Sequence, residues 1–177
     1  MIDLFKAFCT SGDLAYEGAF IAKIKYERFI EKANSEDYKT EIVKSSKRLC
    51  IISCSGYFKD EVVETMTVYL MMNVSGKQVK EPEAVGNQGS LWRSFSKQEI
   101  ADFSHSVGDT NSIHLSDNPV VQGMFLLKEL CTETQAKEIE VKFTYPVYGD
   151  NPVYLKREGN TIEGFSNDFL CFQAESK

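Results

Sequence analysis

Histidine is almost missing from this chain, with His105 and His114 its only two in 177 residues. The cysteines, Cys9, Cys50, Cys54, Cys131 and Cys171, form no Cys-x-x-Cys pair, and neither histidine stands at ligand spacing from such a pair. A zinc site is therefore not expected. The odd cysteine count also argues against a disulfide framework. Cys50 and Cys54, if they share a strand, lie roughly 13 Å apart, too far to bridge. Buried, reduced thiols are expected instead. Long hydrophobic runs are absent too, since no segment approaches the roughly eighteen apolar residues of a membrane helix. The start, Met1-Ile2-Asp3-Leu4-Phe5-Lys6, lacks a charged leader followed by an apolar core. These absences lead us to expect a cytoplasmic protein with no membrane partner. Positive charge is in deficit, 20 Lys and Arg against 26 Asp and Glu for a net charge of −6, which argues against a nucleic-acid binder. The local run of Lys44, Lys47 and Arg48 reads as a solvated turn edge.

What remains is an ordinary globular composition, 42% hydrophobic and 26% charged, enough for one domain or two small halves sharing a core. Alternating and β-branched residues mark strand candidates at Ile24-Lys25-Tyr26, Lys39 to Lys44, Leu49 to Phe58 and Val62 to Met72, read as an antiparallel meander. Ser55-Gly56 reads as a bulge and Lys59-Asp60-Glu61 as a hairpin turn. Residues 75–90, SGKQVKEPEAVGNQGS, have the composition of a linker. Beyond them, Trp92 to Phe95 suits a short strand. Ser96-Lys97-Gln98-Glu99 matches a capping box, predicting a helix from about Lys97 whose stripe of Ile100, Phe103 and Val107 ends at Gly108. His105 falls off that stripe and reads as a surface residue. Gly123 to Leu130 predicts a second, mostly buried helix. Strands then return at Ile139 to Tyr145, Pro152 to Lys156, Thr161 to Ser166 and Phe169 to Ala174.

A weak internal repeat emerges when the halves are aligned. Ser11-Gly12-Asp13, Glu17-Gly18-Ala19-Phe20 and Ile24-Lys25-Tyr26 parallel Val107-Gly108-Asp109, Gln122-Gly123-Met124-Phe125 and Val141-Lys142-Phe143. The first copy lacks the helix that follows Gly123 in the second.

The chemistry concentrates in Gly108-Asp109-Thr110-Asn111-Ser112-Ile113-His114. Turn-forming Gly108, Asn111 and Ser112 can fold the chain back and bring a carboxylate and an imidazole to one point. On spacing alone, Asp109 also suits a turn cap and His114 a loop filler. The neighbouring elements favour acid/base chemistry, because Gly123 opens a helix whose first amide can bond a developing oxyanion with the helix dipole behind it. Glycine there lets a substrate carbonyl approach the main chain.

The order FSKQEIADFSHS, VGDTNSIH, VVQGMFLLKEL and VKFTYPVYGD resembles the MaoC-like (R)-specific enoyl thioester hydratases and dehydratases of the hot-dog fold, over residues 92–177. The resemblance implies that Asp109 and His114 are the catalytic pair. On the substrate-binding side it places Gly123 as oxyanion contributor and Asn111 as the residue ordering the turn. Ser112 stands at the usual proline position. Only eight residues, LSDNPVVQ, separate His114 from Gly123, a spacing more similar to the acyl-carrier-protein dehydratases of the same fold. The acidic residue those enzymes carry on the next helix has no counterpart here. Lys128 takes its place and Glu129 is one step off.

The expectation is an α+β hot-dog protein, doubled, with residues 1–74 a degenerate, helix-poor, acyl-binding half, 75–90 a linker and 91–177 the catalytic half. The first half has no histidine and cannot carry a second pair. The resemblance implies hydration of trans-2-enoyl thioesters, or the reverse dehydration of 3-hydroxyacyl thioesters, as in fatty acid metabolism. No metal or redox cofactor is expected. The substrate would ride on the pantetheine of coenzyme A or of an acyl carrier protein, with the chain a monomeric pseudo-dimer or a homodimer. Two alternatives stay open: an acyl thioesterase, and a non-catalytic protein that binds acyl thioesters or a partner.

Overall fold

The computed structural model describes residues 1–11, 19–72 and 82–177. Among these residues nine strands form one antiparallel sheet. In chain order they are β1 (Phe20–Arg28), β2 (Asp37–Ser45), β3 (Leu49–Phe58), β4 (Glu61–Met71), β5 (Ser90–Ser94), β6 (Glu138–Phe143), β7 (Pro152–Glu158), β8 (Thr161–Ser166) and β9 (Phe169–Ser176). The helices are α1 (Ile2–Thr10), α2 (Lys97–Val107) and α3 (Gly123–Thr134), with a 3-10 turn at Ser112–His114. This is the expected α+β class.

Period-two burial fixes the inward face of the sheet. On β3, Cys50, Ile52, Cys54 and Gly56 point inward, and on β4 Met66, Val68 and Leu70 do the same. The bulge expected at Gly56 is present as a register shift between Gly56 and Tyr57. Lys59 and Asp60 make the turn to β4 with φ of 49° and 66°, the left-handed geometry that matches strand twist in a two-residue hairpin.

On the inner face, α3 is buried on nearly all sides through Met124, Phe125, Leu126, Leu127 and Leu130. Helix α2 begins at Lys97 with both halves of the Ser96/Glu99 capping box formed, and ends at Gly108 with φ of 73°. Phe103 and Phe125 stack at 4.6 Å, Phe95 meets Phe125 edge-on at 5.1 Å, and Phe5 tilts against Phe103 at 6.1 Å. These rings join α1, α2, α3 and the residue after β5 in one core.

Two features depart from the sequence reading. The first half is helix-poor as expected, with β1 starting at Phe20 where the second half has α3, but it does carry α1, on which Leu4, Phe5 and Phe8 form a buried face. Nine residues with no side-chain cap leave little sequence signal, and packing against α2 supplies what propensity does not. The first four strands are also not a simple meander. β2, β3 and β4 run as one, but β1 pairs with β4 and β6 rather than with β2. Eight residues between β1 and β2 let the chain cross over instead of closing a tight hairpin.

The sheet order, β2-β3-β4-β1-β6-β9-β8-β7-β5, reads alike from both sides of the β1–β6 contact, with β5 added at one edge. Ile24 pairs with Val141, the two positions that the internal repeat sets in equivalence. Its other first-half landmarks, Gly12, Asp13, Glu17 and Gly18, lie outside the described residues, as do residues 75–81 of the proposed linker. From residue 82 to Gly89 the backbone has no regular structure, yet it is tied down, since the amides of Val85 and Gly86 donate to the Asp168 carbonyl at 2.8 and 3.1 Å.

Candidate active site

The αL ending of α2 turns the chain sharply, with the Asp109 amide donating to the Ser104 carbonyl at 2.9 Å. Asp109 Oδ1 accepts the Asn111 amide at 3.0 Å, an Asx turn. Asn111 Oδ1 accepts the Ile113 amide at 3.4 Å and caps the 3-10 turn. His114 closes that turn, its own amide bonded to the Asn111 carbonyl at 3.1 Å. The short polar side chains thus bring Asp109 Oδ2 within 3.5 Å of His114 Nε2. Asn111 lines the cavity beside the pair and orders the turn. Ser112, at the usual proline position, starts the 3-10 turn without disturbing it.

The imidazole is oriented from its other nitrogen. Nδ1 lies 2.6 Å from the Val120 carbonyl, which accepts only and so makes Nδ1 the donor. The Nε2 lone pair then faces the carboxylate. Two acceptors at 3.5 Å do not bond each other, but a water molecule can donate one proton to each. His114 is 8% exposed. Burial pushes its pKa below the ordinary 6.5, outweighing Asp109 and the Val120 carbonyl, which raise it. The ring is a neutral base at physiological pH.

The short segment after His114 is firmly held. Val120 bridges to Tyr148, the Val121 amide donates to the Val147 carbonyl at 2.8 Å, and the Gly149 amide donates to Pro119 at 2.8 Å. The PVYGD stretch is therefore the brace for this loop. It delivers Gly123 as the first residue of α3, where the leading amides have no partner within the helix. A Cβ at Gly123 would sit 3.1 Å from Phe143 Cζ and 3.4 Å from Ile21 Cδ1, so this backbone meets the cavity closely.

Asp109, Asn111, His114 and Gly123 all line one cavity of about 960 Å³. Residues of the first half, among them Phe8, Cys9, Ala19, Ile21, Ala22 and Leu70, line the same space. Sequence reasoning missed Phe8 and Cys9 because it missed α1. Cys9 is not an activated nucleophile, since burial pushes its thiol up to about 12, with Asp109 adding to the shift. Glu129 binds Arg93 and Lys128 and does not line the cavity, whereas Asp109 does. His105 is exposed, as its place on the helix predicts. Among the described residues no group of three metal-ligating side chains gathers, and no helix is long and apolar enough to cross a membrane.

No protein-family pattern and no curated protein matches the sequence. Solved structures do match in shape. HtdX from Mycobacterium tuberculosis superposes with a TM-score of 0.66 at 15% identity, over 96% of this chain and 81% of that one. A MaoC-like dehydratase from Phytophthora capsici gives 0.58 at 12% identity, over 90% and 72%. An acyl-ACP thioesterase from Bacteroides thetaiotaomicron gives 0.54 at 9% identity, over 89% and 75%. Identity this low carries architecture and not activity: the chain has the hot-dog fold, shared with MaoC-like dehydratases and with acyl thioesterases.

Proposed function

We propose that this protein is an enoyl thioester hydratase, or in reverse a 3-hydroxyacyl thioester dehydratase, that works by acid/base catalysis. The observation that carries the reading is the Asp109/His114 pair, two acceptors 3.5 Å apart that share one largely apolar cavity with the start of α3. A water donating to both is held against one face of a bound enoyl group. The pair takes a proton from that water as its oxygen bonds to C3. The C2–C3 π electrons move toward the thioester carbonyl, and the resulting oxyanion rests on the free amides at the start of α3. The pair then returns the proton to C2, so atoms and charge balance. The reaction is redox-neutral and needs no redox cofactor.

The cavity is at the upper end of the range for small-molecule sites, about 300–1,000 Å³, and its apolar lining suits an acyl chain. The pantetheine carrier is coenzyme A or an acyl carrier protein, and the setting we propose is the cytoplasm. The thioesterase reading has structural neighbours behind it. Hydrolysis needs a water aimed at C1 rather than at C3, and the two reactions differ in product.

Crotonyl-coenzyme A separates them. The expected result is loss of the enoyl absorbance with no free thiol. Thiol release at the same rate would make the protein a thioesterase, and no change in either signal would favour a binding role.

A further inference from the structure

Gln122 stands at the N-cap of α3 and caps nothing, since its side chain makes no bond to the first turn. Serine, threonine, aspartate or asparagine is the usual choice there because each satisfies a leading amide. Gln122 instead turns into the protein. It is 1% exposed, and its Nε2 donates to the Ile100 carbonyl at 3.1 Å and to Ser104 Oγ at 2.5 Å, both on α2. Its Oε1 is buried with no partner. An orphaned buried acceptor costs stability, and an apolar side chain of similar size would avoid that cost.

Both ends of this link reach the catalytic pair. Ser104 supplies the carbonyl that accepts the amides of Gly108 and Asp109, so it fixes the peptide carrying the carboxylate. Two residues before Gln122, the Val120 carbonyl orients His114 Nδ1. One residue after it, Gly123 presents the first amide of α3.

We infer that Gln122, acting through Ser104, is a positioning residue that locks the Val120–Gly123 segment to the end of α2 and so sets Asp109, His114 and the leading amides of α3 in register. By declining to cap α3, the same side chain leaves those amides available to a substrate oxygen. The catalytic consequence rests on the hydration reading above, while the geometric claim does not.

The test uses the full chain with His105→Ala, which leaves His114 as the one imidazole to follow by NMR titration. Replacing Asp109 by Asn removes the carboxylate that raises the His114 pKa, so that pKa should fall. In a Gln122→Leu background the same replacement should lower it by less than half as much, because a loosened carboxylate couples less. An equal fall in both backgrounds overturns the proposal. In the hydratase assay Gln122→Leu should lower kcat by about tenfold to a hundredfold with KM near the wild-type value, as expected of misplaced groups, and without loss of Tm. A fall in Tm with kcat unchanged in the folded fraction would make the role merely structural and also overturn it. Should Gln122→Leu fail to fold, Ser104→Ala removes the other end of the link and carries the same two readouts. A wild-type protein inert toward crotonyl-coenzyme A would sink the hydratase reading alone, since the pKa coupling is read without turnover.

Discussion

At the scale of single residues, the proposed chemistry needs His114 to be neutral. The imidazole is held below its ordinary 6.5 mainly by burial, so in the unfolded chain it takes up a proton at higher pH than in the folded one. Stability should therefore be intact above about pH 6.5, the unfolded value, and decline as pH falls from there toward the lowered folded value. Urea unfolding of wild type and His114→Gln at pH 7.5 and 5.5 checks this. The variant should lose less stability on acidification, and an equal loss would place the burial argument in error. The acid limb of kcat/KM should likewise lie below pH 6.5. The Asp109–His114 relation was legible in the sequence because the turn that makes it is local. The Val120 carbonyl was not, because the chain must first fold back across six positions, braced by Tyr148 and Val147. Gln122 has no role legible in VVQGM, since only its bonds to Ile100 and Ser104 on the packed α2 give it one.

Among the elements, those with strong local signals stand where the pattern put them. The start of α2 was fixed by a capping box, its end by Gly108, and β3 and β8 by alternation bounded by turns. Helix α1 was illegible because nine residues hold one buried face and no cap. The partners of β1 were illegible because pairing across 36 to 51 positions with β4, and across 111 to 119 with β6, is not written in local periodicity. The start of α3 gives the element-scale test. Gly123→Val places a Cβ 3.1 Å from Phe143 and 3.4 Å from Ile21, tight contacts that its methyl groups would crowd further. Overpacking of this kind typically costs ~1–3 kcal/mol, whereas displacing an oxyanion donor should lower kcat by roughly 10² or more. Circular dichroism beside kinetics checks the pair. A folded variant with near-wild-type kcat would remove Gly123 from the mechanism.

For the whole molecule, the symmetric sheet order gives the second half a partner that carries no histidine but lines the cavity. Ala22 sits on β1 at that lining, and Ala22→Leu should narrow the acyl channel. Turnover on long enoyl chains should fall while crotonyl turnover stays within about threefold, because the binding site shrinks away from the reacting carbons. The lining of the cavity by both halves was anticipated from the repeat, but the contribution of Phe8 and Cys9 depends on α1. The claim that joins all three scales is that Asp109 and His114 act together on one water. The most direct measurement compares crotonyl-coenzyme A hydration by wild type, Asp109→Asn, His114→Ala, the double variant and His105→Ala. Each single change in the pair should lower kcat/KM by about 10² or more, the double should lose far less than the product, and His105→Ala should match wild type. Near-wild-type hydration by either folded single variant would remove the pair from the reaction.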